Sequence, residues 1–338
     1  MSEFILGVDI AKKKYDVTLF VNGKFKHKVF KNNREGFEEL SVWLKRQGAD
    51  HVHACMEASS MYGDELAAWL YDQGHTVSIV NPARIKGFAQ SELLRTKNDK
   101  VDAGLIARFC QAMHPEPWTP VPPEMKRLQA LARKIDALIS IRTQEMNRID
   151  VSHESIRSSV RDHIAYLDKE IGNLKNQAAI YITNDPNLKT KGDLLKSIPG
   201  IGDATIAAVL AELPMFEKCD RVQKIVAFIG LAPREMISGS SIKGKPRICK
   251  TGNSRMRKAL YMPALVSIQY NPVICAMYKR LKENGKNGKV IVCAIMRKLV
   301  HIIFGILKSG KPFDPNFKPN CALHGKRYLQ FYAMTFLL

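Results

Sequence analysis

FILGVDIAKKKYDVTLFVNGKFKHKVF, residues 4–30, is the stretch on which the fold turns. FILGVDIA is an apolar run interrupted near its end by an acid, Asp9, and it reads as a strand. KYDVTLFVNGKFKHKVF alternates around Asn22-Gly23, a dipeptide that favours the tight turn of a β-hairpin. Two or three strands are therefore expected here. Working outward, residues 33–47 put Phe37, Leu40, Trp43 and Leu44 on one helical face. HVHACME, residues 51–57, is a further strand that again ends in an acid, Glu57. Helix is expected over 62–73, strand over TVSIV before Asn81-Pro82, and helix over 98–113. Strands first, then helix and strand in alternation, predict an α/β domain. Pro115, Pro117, Pro120, Pro122 and Pro123 punctuate its end.

Beyond them the pattern changes. Val160, Ile164, Leu167, Ile171, Leu174, Ala178 and Tyr181 follow one another in steps of four and three, the spacing of a coiled-coil seam. Leu128, Leu131, Ile135 and Leu138 carry similar steps, and Ser152 to Ser155 offers a break between the two runs. A long helical hairpin is expected, either packed on its own domain or acting as a dimerising arm. Residues 186–311 read as mostly helical, and the end of the chain, FYAMTFLL, has no assignable role.

Charge divides the chain unevenly. The formal net charge is +20, and residues 185–338 hold 26 Lys and Arg against 9 Asp and Glu, so +17 of it lies there. Between Ser238 and Lys311 stand 16 basic residues and one acid, Glu283. Ordinary soluble surfaces mix signs, so this segment is expected to bind a polyanion, with nucleic acid first and anionic membrane second. No run of 18 apolar residues is present, so no spanning helix is expected. The start does not read as a signal peptide. Seven cysteines without zinc-finger spacing read as reduced thiols, which suits a cytoplasmic protein.

Two acids end strands, and two more, Asp99 and Asp102, share a helical face at i and i+3. Hard cations such as Mg²⁺ take oxygen ligands, and acids at strand ends are well placed for an active site. Taken singly, each could be a solvated residue, and Asp99 could cap the helix that follows. Asp9, between Val8 and Ile10, is the costliest to leave without a partner. Ser197 to Ala204 (SIPGIGDA) resembles a helix-hairpin-helix, in which Gly200 and Gly202 permit a tight turn whose amides meet a phosphate; an ordinary packing corner is the alternative. ISGSSIKGK, residues 237–245, sets serines beside Lys243 and Lys245. Arg247, Lys250, Arg255, Arg257, Lys258, Lys286, Lys289, Arg297 and Lys298 are candidate phosphate contacts.

These pieces in order, namely GVDIAK, CMEASSMYG, VNPARIKGFAQS, RTKNDKVDA, SIPGIG, FIGLAPRE, SGSS, ALYMPA and NGKNGKVIVCAIMRKL, resemble the DEDD transposases of bacterial insertion sequences, the insertion-sequence one-ten family. Piv-type DNA invertases are similar. The resemblance spans about residues 4–315. It implies a RuvC-like domain of RNase H fold over residues 1–120, with Asp9, Glu57, Asp99 and Asp102 as a tetrad binding Mg²⁺, for which Mn²⁺ is a possible substitute. It further implies a coiled-coil hairpin over 121–184, a mostly helical transposase domain over 185–315, and a tail over 316–338. Ser238, before the glycine of SGSS, would be the nucleophile that forms a covalent phosphoserine with DNA, with Lys243, Lys245 and Arg247 neutralising phosphate charge. Donor and target double-stranded DNA are the implied partners, with a structured guide RNA, the bridge RNA, and a dimer or tetramer of the chain. A junction-cleaving nuclease using water, and a non-catalytic nucleic-acid binder, are the alternatives.

Overall fold

The computed structural model describes residues 4–21, 23–58, 61–93, 98–234, 237–238, 242–243 and 247–317. Lys245 and the tail from residue 318 lie outside the described residues, and for Ser238 and Lys243 only the backbone is described. The chain divides into two compact units, Met1–Val121 and Pro122–Leu338.

The first unit is built on a five-stranded sheet. Strands β1 (Ile5–Ile10), β2 (Lys14–Val21), β3 (Lys24–Lys31), β4 (His53–Glu57) and β5 (Thr76–Val80) lie in the order β3-β2-β1-β4-β5. β1 runs antiparallel to β2 and parallel to β4, and β5 is parallel to β4. This mixed sheet is compatible with the RNase H-like fold. Alternate side chains sort to opposite faces. Leu6 and Val8, with Tyr15, Val17 and Leu19, are buried with Phe37, Leu40 and Leu44 of α1 (Arg34–Arg46) and Leu66 and Leu70 of α2 (Asp64–Asp72). Ile5 and Cys55 are buried on the other face with Ile85 of α3 (Pro82–Ser91) and Leu105, Ile106 and Phe109 of α4 (Asp99–Met113). Each fully buried Leu or Phe contributes about 1.5–3 kcal/mol, so both faces are anchored.

α3 has no counterpart among the elements expected from the sequence. Asn81-Pro82 closes a strand, as expected, but it also starts a helix: Asn81 accepts from the Ala83 amide and Pro82 takes the first turn. The outermost strand, β3, carries Lys24, Lys26, Lys28 and Lys31. At the opposite border, residues 115–118 run along β5: the Trp118 amide donates to Val77 O (2.6 Å), and the Ser78 hydroxyl donates to Pro115 O and Glu116 O.

The second unit is mostly helical. α5 (Pro123–Ile149) and α6 (Glu154–Asn184) form a pair in which Leu138, Leu167 and Ile171 make a small core and Arg142 pairs with Asp168. Every residue of the run from Val160 to Tyr181 picked out by four-three spacing is at least partly buried. α5 and α6 also pack on α8 (Asp203–Ala211), and α6 packs on α7 (Pro186–Lys196). α9 (Leu213–Lys218), α10 (Val222–Ile229), α11 (Ser254–Tyr270) and α12 (Pro272–Glu283) gather with these around α13 (Gly288–Ser309). α13 is, by length and composition, apolar enough to cross a membrane. Counting unbroken apolar runs misses this because Arg297 and Lys298 interrupt it. Its Ile291, Ile295, Leu299, Val300 and Ile303 are buried, the pattern of a central core helix.

Candidate active site

The register of the sheet decides where the acids go. Val8 pairs with Met56, so Asp9 and Glu57 follow side by side at the ends of two parallel strands. Asp9 belongs to the face of Ile5 and Gly7, the face that α4 covers. There α4 approaches unusually closely, because residue 7 is glycine. A Cβ at Gly7 would stand 2.2 Å from Ala103 O and 2.4 Å from Ala107 N. With α4 seated on β1, its first turn, carrying Asp99 and Asp102, comes to the end of the strand that holds Asp9. Asn98 is the cap of α4, accepting from the Val101 amide at 2.9 Å. Asp99 is thus released from the capping role that the sequence left open for it.

The electrostatics report the convergence. Asp9 is pushed up from 3.8 to about 6, first by burial and then by the negative charges of Asp102, Asp99, Asp16 and Glu57. Asp99 is held low by its hydrogen bond from Lys14. Among the described residues, no three His, Cys, Asp or Glu side chains already stand as a metal-binding group. The acids are near enough for their charges to act on Asp9.

Three residues here escaped the sequence reading. Asp16 faces Asp9 directly across the β1–β2 ladder and is only 5% exposed. Its Oδ1 is 3.0 Å from His27 Nε2 and its Oδ2 3.2 Å from Lys14 Nζ. Lys14 also reaches Asp99 Oδ2 at 2.7 Å. The available signal was the period of two in KYDVTLFV. Tyr15, Val17 and Leu19 face one core, which puts Asp16 on the other face, where a buried carboxylate is costly without partners.

In the second unit, Ser238 lies in a ribbon of short strands. Pro233–Arg234 pairs with Arg247–Ile248, and Ile237–Ser238 pairs with Ile242–Lys243, all antiparallel. The base of the ribbon is fastened: the amides of Cys249, Lys250 and Asn253 donate to Ala232 O, Gly230 O and Phe228 O. Gly252 permits the approach, since a Cβ there would lie 2.1 Å from Phe228 O and φ is +134°.

The candidate phosphate contacts fall into two groups. Arg247, Lys250, Lys258, Lys286 and Lys289 are exposed. Arg255, Arg257, Arg297 and Lys298 are half-buried. Arg255 stands 3.7 Å from Glu212, and Arg257 of α11 donates to Ile229 O at 2.7 Å and to Gly252 O at 3.4 Å, so it ties the end of α10 to the loop before α11. Gly200, at φ +97°, turns α7 into α8, and a Cβ there would meet Ser267 Oγ at 2.3 Å. The glycine is therefore required for packing on α11. Gly202, at the start of α8, is exposed, with open space around it.

The DEDD transposase profile of the IS110 group, described as "Transposase", matches residues 6–152, and the profile of the "Transposase IS116/IS110/IS902 family" matches residues 192–279. The pilin gene-inverting protein of Moraxella bovis is 33% identical over 317 residues, which cover 93% of this chain and 98% of that protein. This chain belongs to the IS110 transposase family. The pilin gene-inverting protein of Moraxella lacunata is likewise 33% identical over 317 residues, 93% of this chain and 98% of that protein. An uncharacterized 43.6 kDa protein of insertion element IS110 from Streptomyces coelicolor is 26% identical over 36% of this chain and 30% of that protein. As a member of a family of transposases and DNA invertases, the protein is a DNA recombinase.

Proposed function

We propose that this transposase cuts and rejoins DNA strands with Asp9, Glu57, Asp99 and Asp102 as its metal-binding tetrad and Ser238 as its nucleophile. The observation that carries the reading is the gathering of acids around Asp9, whose carboxyl is raised to about 6 first by burial and then by the charges of Asp102, Asp99, Asp16 and Glu57. Oxygen donors with an excess of negative charge suit a hard divalent cation, Mg²⁺ or in its place Mn²⁺. When bound, that cation supplies Lewis-acid polarisation of a phosphate oxygen.

The protein's own groups then account for the bond changes. Ser238 Oγ attacks the scissile phosphorus, an ester to the protein forms, and one deoxyribose oxygen departs as a hydroxyl. A hydroxyl from the second DNA attacks the phosphoserine, restores the strand and returns the proton to Ser238. Bond energy is conserved, so no nucleotide hydrolysis is needed. Lys243, Lys245 and Arg247 offset the charge that develops on phosphate.

The exposed cations and the start of α8, with Gly200 and Gly202 forming a helix-hairpin-helix turn, contact phosphates of donor and target DNA. A structured guide RNA of the bridge type shares this basic surface, which the net charge supports. The α5–α6 pair acts as a coiled-coil arm joining protomers into a dimer or tetramer, and the even four-three spacing supports it. The catalytic, hairpin and serine domains divide near residues 120 and 184, and the protein works in the cytoplasm.

The test is Ser238→Ala in the presence of cognate DNA, RNA and Mg²⁺. Wild type is expected to leave a DNA-linked protein under denaturing conditions and the variant none. Adducts formed by the variant would remove Ser238 from its role. Cleavage by wild type without any adduct would point to attack by water.

A further inference from the structure

Lys14 stands between two acids at the border of the proposed metal centre. Its ammonium is 2.7 Å from Asp99 Oδ2 and 3.2 Å from Asp16 Oδ2. Asp16 is a fifth carboxylate, buried opposite Asp9 and held on its other oxygen by His27. It offers Lys14 a fixed second anchor. Asp99 is different: it is exposed and sits in the first turn of α4. An ammonium on Asp99 Oδ2 neutralises the carboxylate that a divalent ion would take and brings a positive charge beside that ion, so the two cations compete for Asp99 through charge.

We propose that Lys14 is the resident counter-cation of the acidic cluster, pairing with Asp99 until a divalent ion takes that carboxylate and then resting on Asp16 alone. Lys14 is thereby a competitor of the metal. It offsets part of the repulsion among Asp9, Glu57, Asp99 and Asp102 in the metal-free protein, and it sets how much free metal is needed to assemble the centre. Asp16 and His27 act through Lys14 and are positioning residues. The inference rests on the metal-centre reading above, and the direction of the effect separates it from a plain structural role. A lysine that merely orients Asp99 as a ligand strengthens metal binding, whereas a competing lysine weakens it.

The test is a Mn²⁺ titration of the full chain without nucleic acid, followed by calorimetry and by the loss of the free-ion paramagnetic signal. Lys14→Met is expected to bind Mn²⁺ about fivefold more tightly than wild type, the size of an exposed ion pair. Its metal-free melting temperature should fall. Lys14→Arg, which keeps the pairing, stays near wild type. Lys12→Met removes the same charge from an exposed neighbour and controls for net charge. Equal tightening by Lys12→Met and Lys14→Met, or weaker binding by Lys14→Met, overturns the proposal. Absence of binding by wild type and Lys14→Met alike overturns the metal-centre reading itself, and this inference with it.

Discussion

At the scale of single residues, Asp9 is the group whose state reports on the site. Its folded value of about 6 against an ordinary 3.8 means that the folded chain holds the proton more tightly than the unfolded one. The cost of an ionised Asp9 is absent below about pH 3.8 and fully present above about pH 6. In chelator, the Asp9 contribution therefore makes the protein less stable as pH rises through that window. Asp9→Asn removes the cost: its melting temperature should exceed that of wild type above pH 6 and converge with it towards pH 4. Thermal denaturation across pH checks this, and a variant less stable than wild type at neutral pH would show that burial and the neighbouring charges do not penalise an ionised Asp9. Asp9 was legible in the sequence because an acid between Val8 and Ile10 stands out. Asp16 was half legible: the period of two sets its face, but its place opposite Asp9 depends on the register, which is a property of two strands together.

At the scale of elements, the site exists because α4 lies nearly on the backbone of β1. Gly7→Ala would drive a Cβ into Ala103 O and Ala107 N, atoms of the α4 backbone that cannot yield as a flexible side chain does. The expected cost is about 3 kcal/mol, and the helix start bearing Asp99 and Asp102 would shift from Asp9. A denaturant melt reads the first effect and Mn²⁺ titration the second. A Gly7→Ala protein with unchanged stability would mean that α4 seats elsewhere in solution. Strands and long helices were readable from periodicity, whereas the break that the polar stretch Ser152–Ser155 suggested falls two residues earlier, between Ile149 and Glu154. The short α3 was hidden because its polar cap and proline look the same whether they end a strand or start a helix. The serine ribbon was hidden because strands of two residues carry no period at all.

At the scale of the whole molecule, charge is the dominant feature. Affinity for duplex DNA should fall steeply with salt, and Lys286→Glu with Lys289→Glu should lower the slope of log affinity against log salt by about 2. Both residues are exposed just before or at the start of α13, so the fold should be unaffected. Binding isotherms over a salt series decide it, and an unaltered slope would clear both residues of phosphate contact. The overall +20 charge was plain in the sequence. How the half-buried Arg255 and Arg257 are engaged was not, since Arg257 is committed to backbone carbonyls that only the fold brings near.

The two borders of the sheet have a consequence for life on a crowded polymer. Many copies drawn onto one strand of nucleic acid are concentrated far above their bulk level, a condition that promotes fibrillar stacking of open strands. Here an incoming strand would meet a row of ammonium groups at β3, while at the opposite border a proline-bearing segment already occupies the Val77 carbonyl and the Ser78 hydroxyl. The chain can be gathered densely without its sheets fusing.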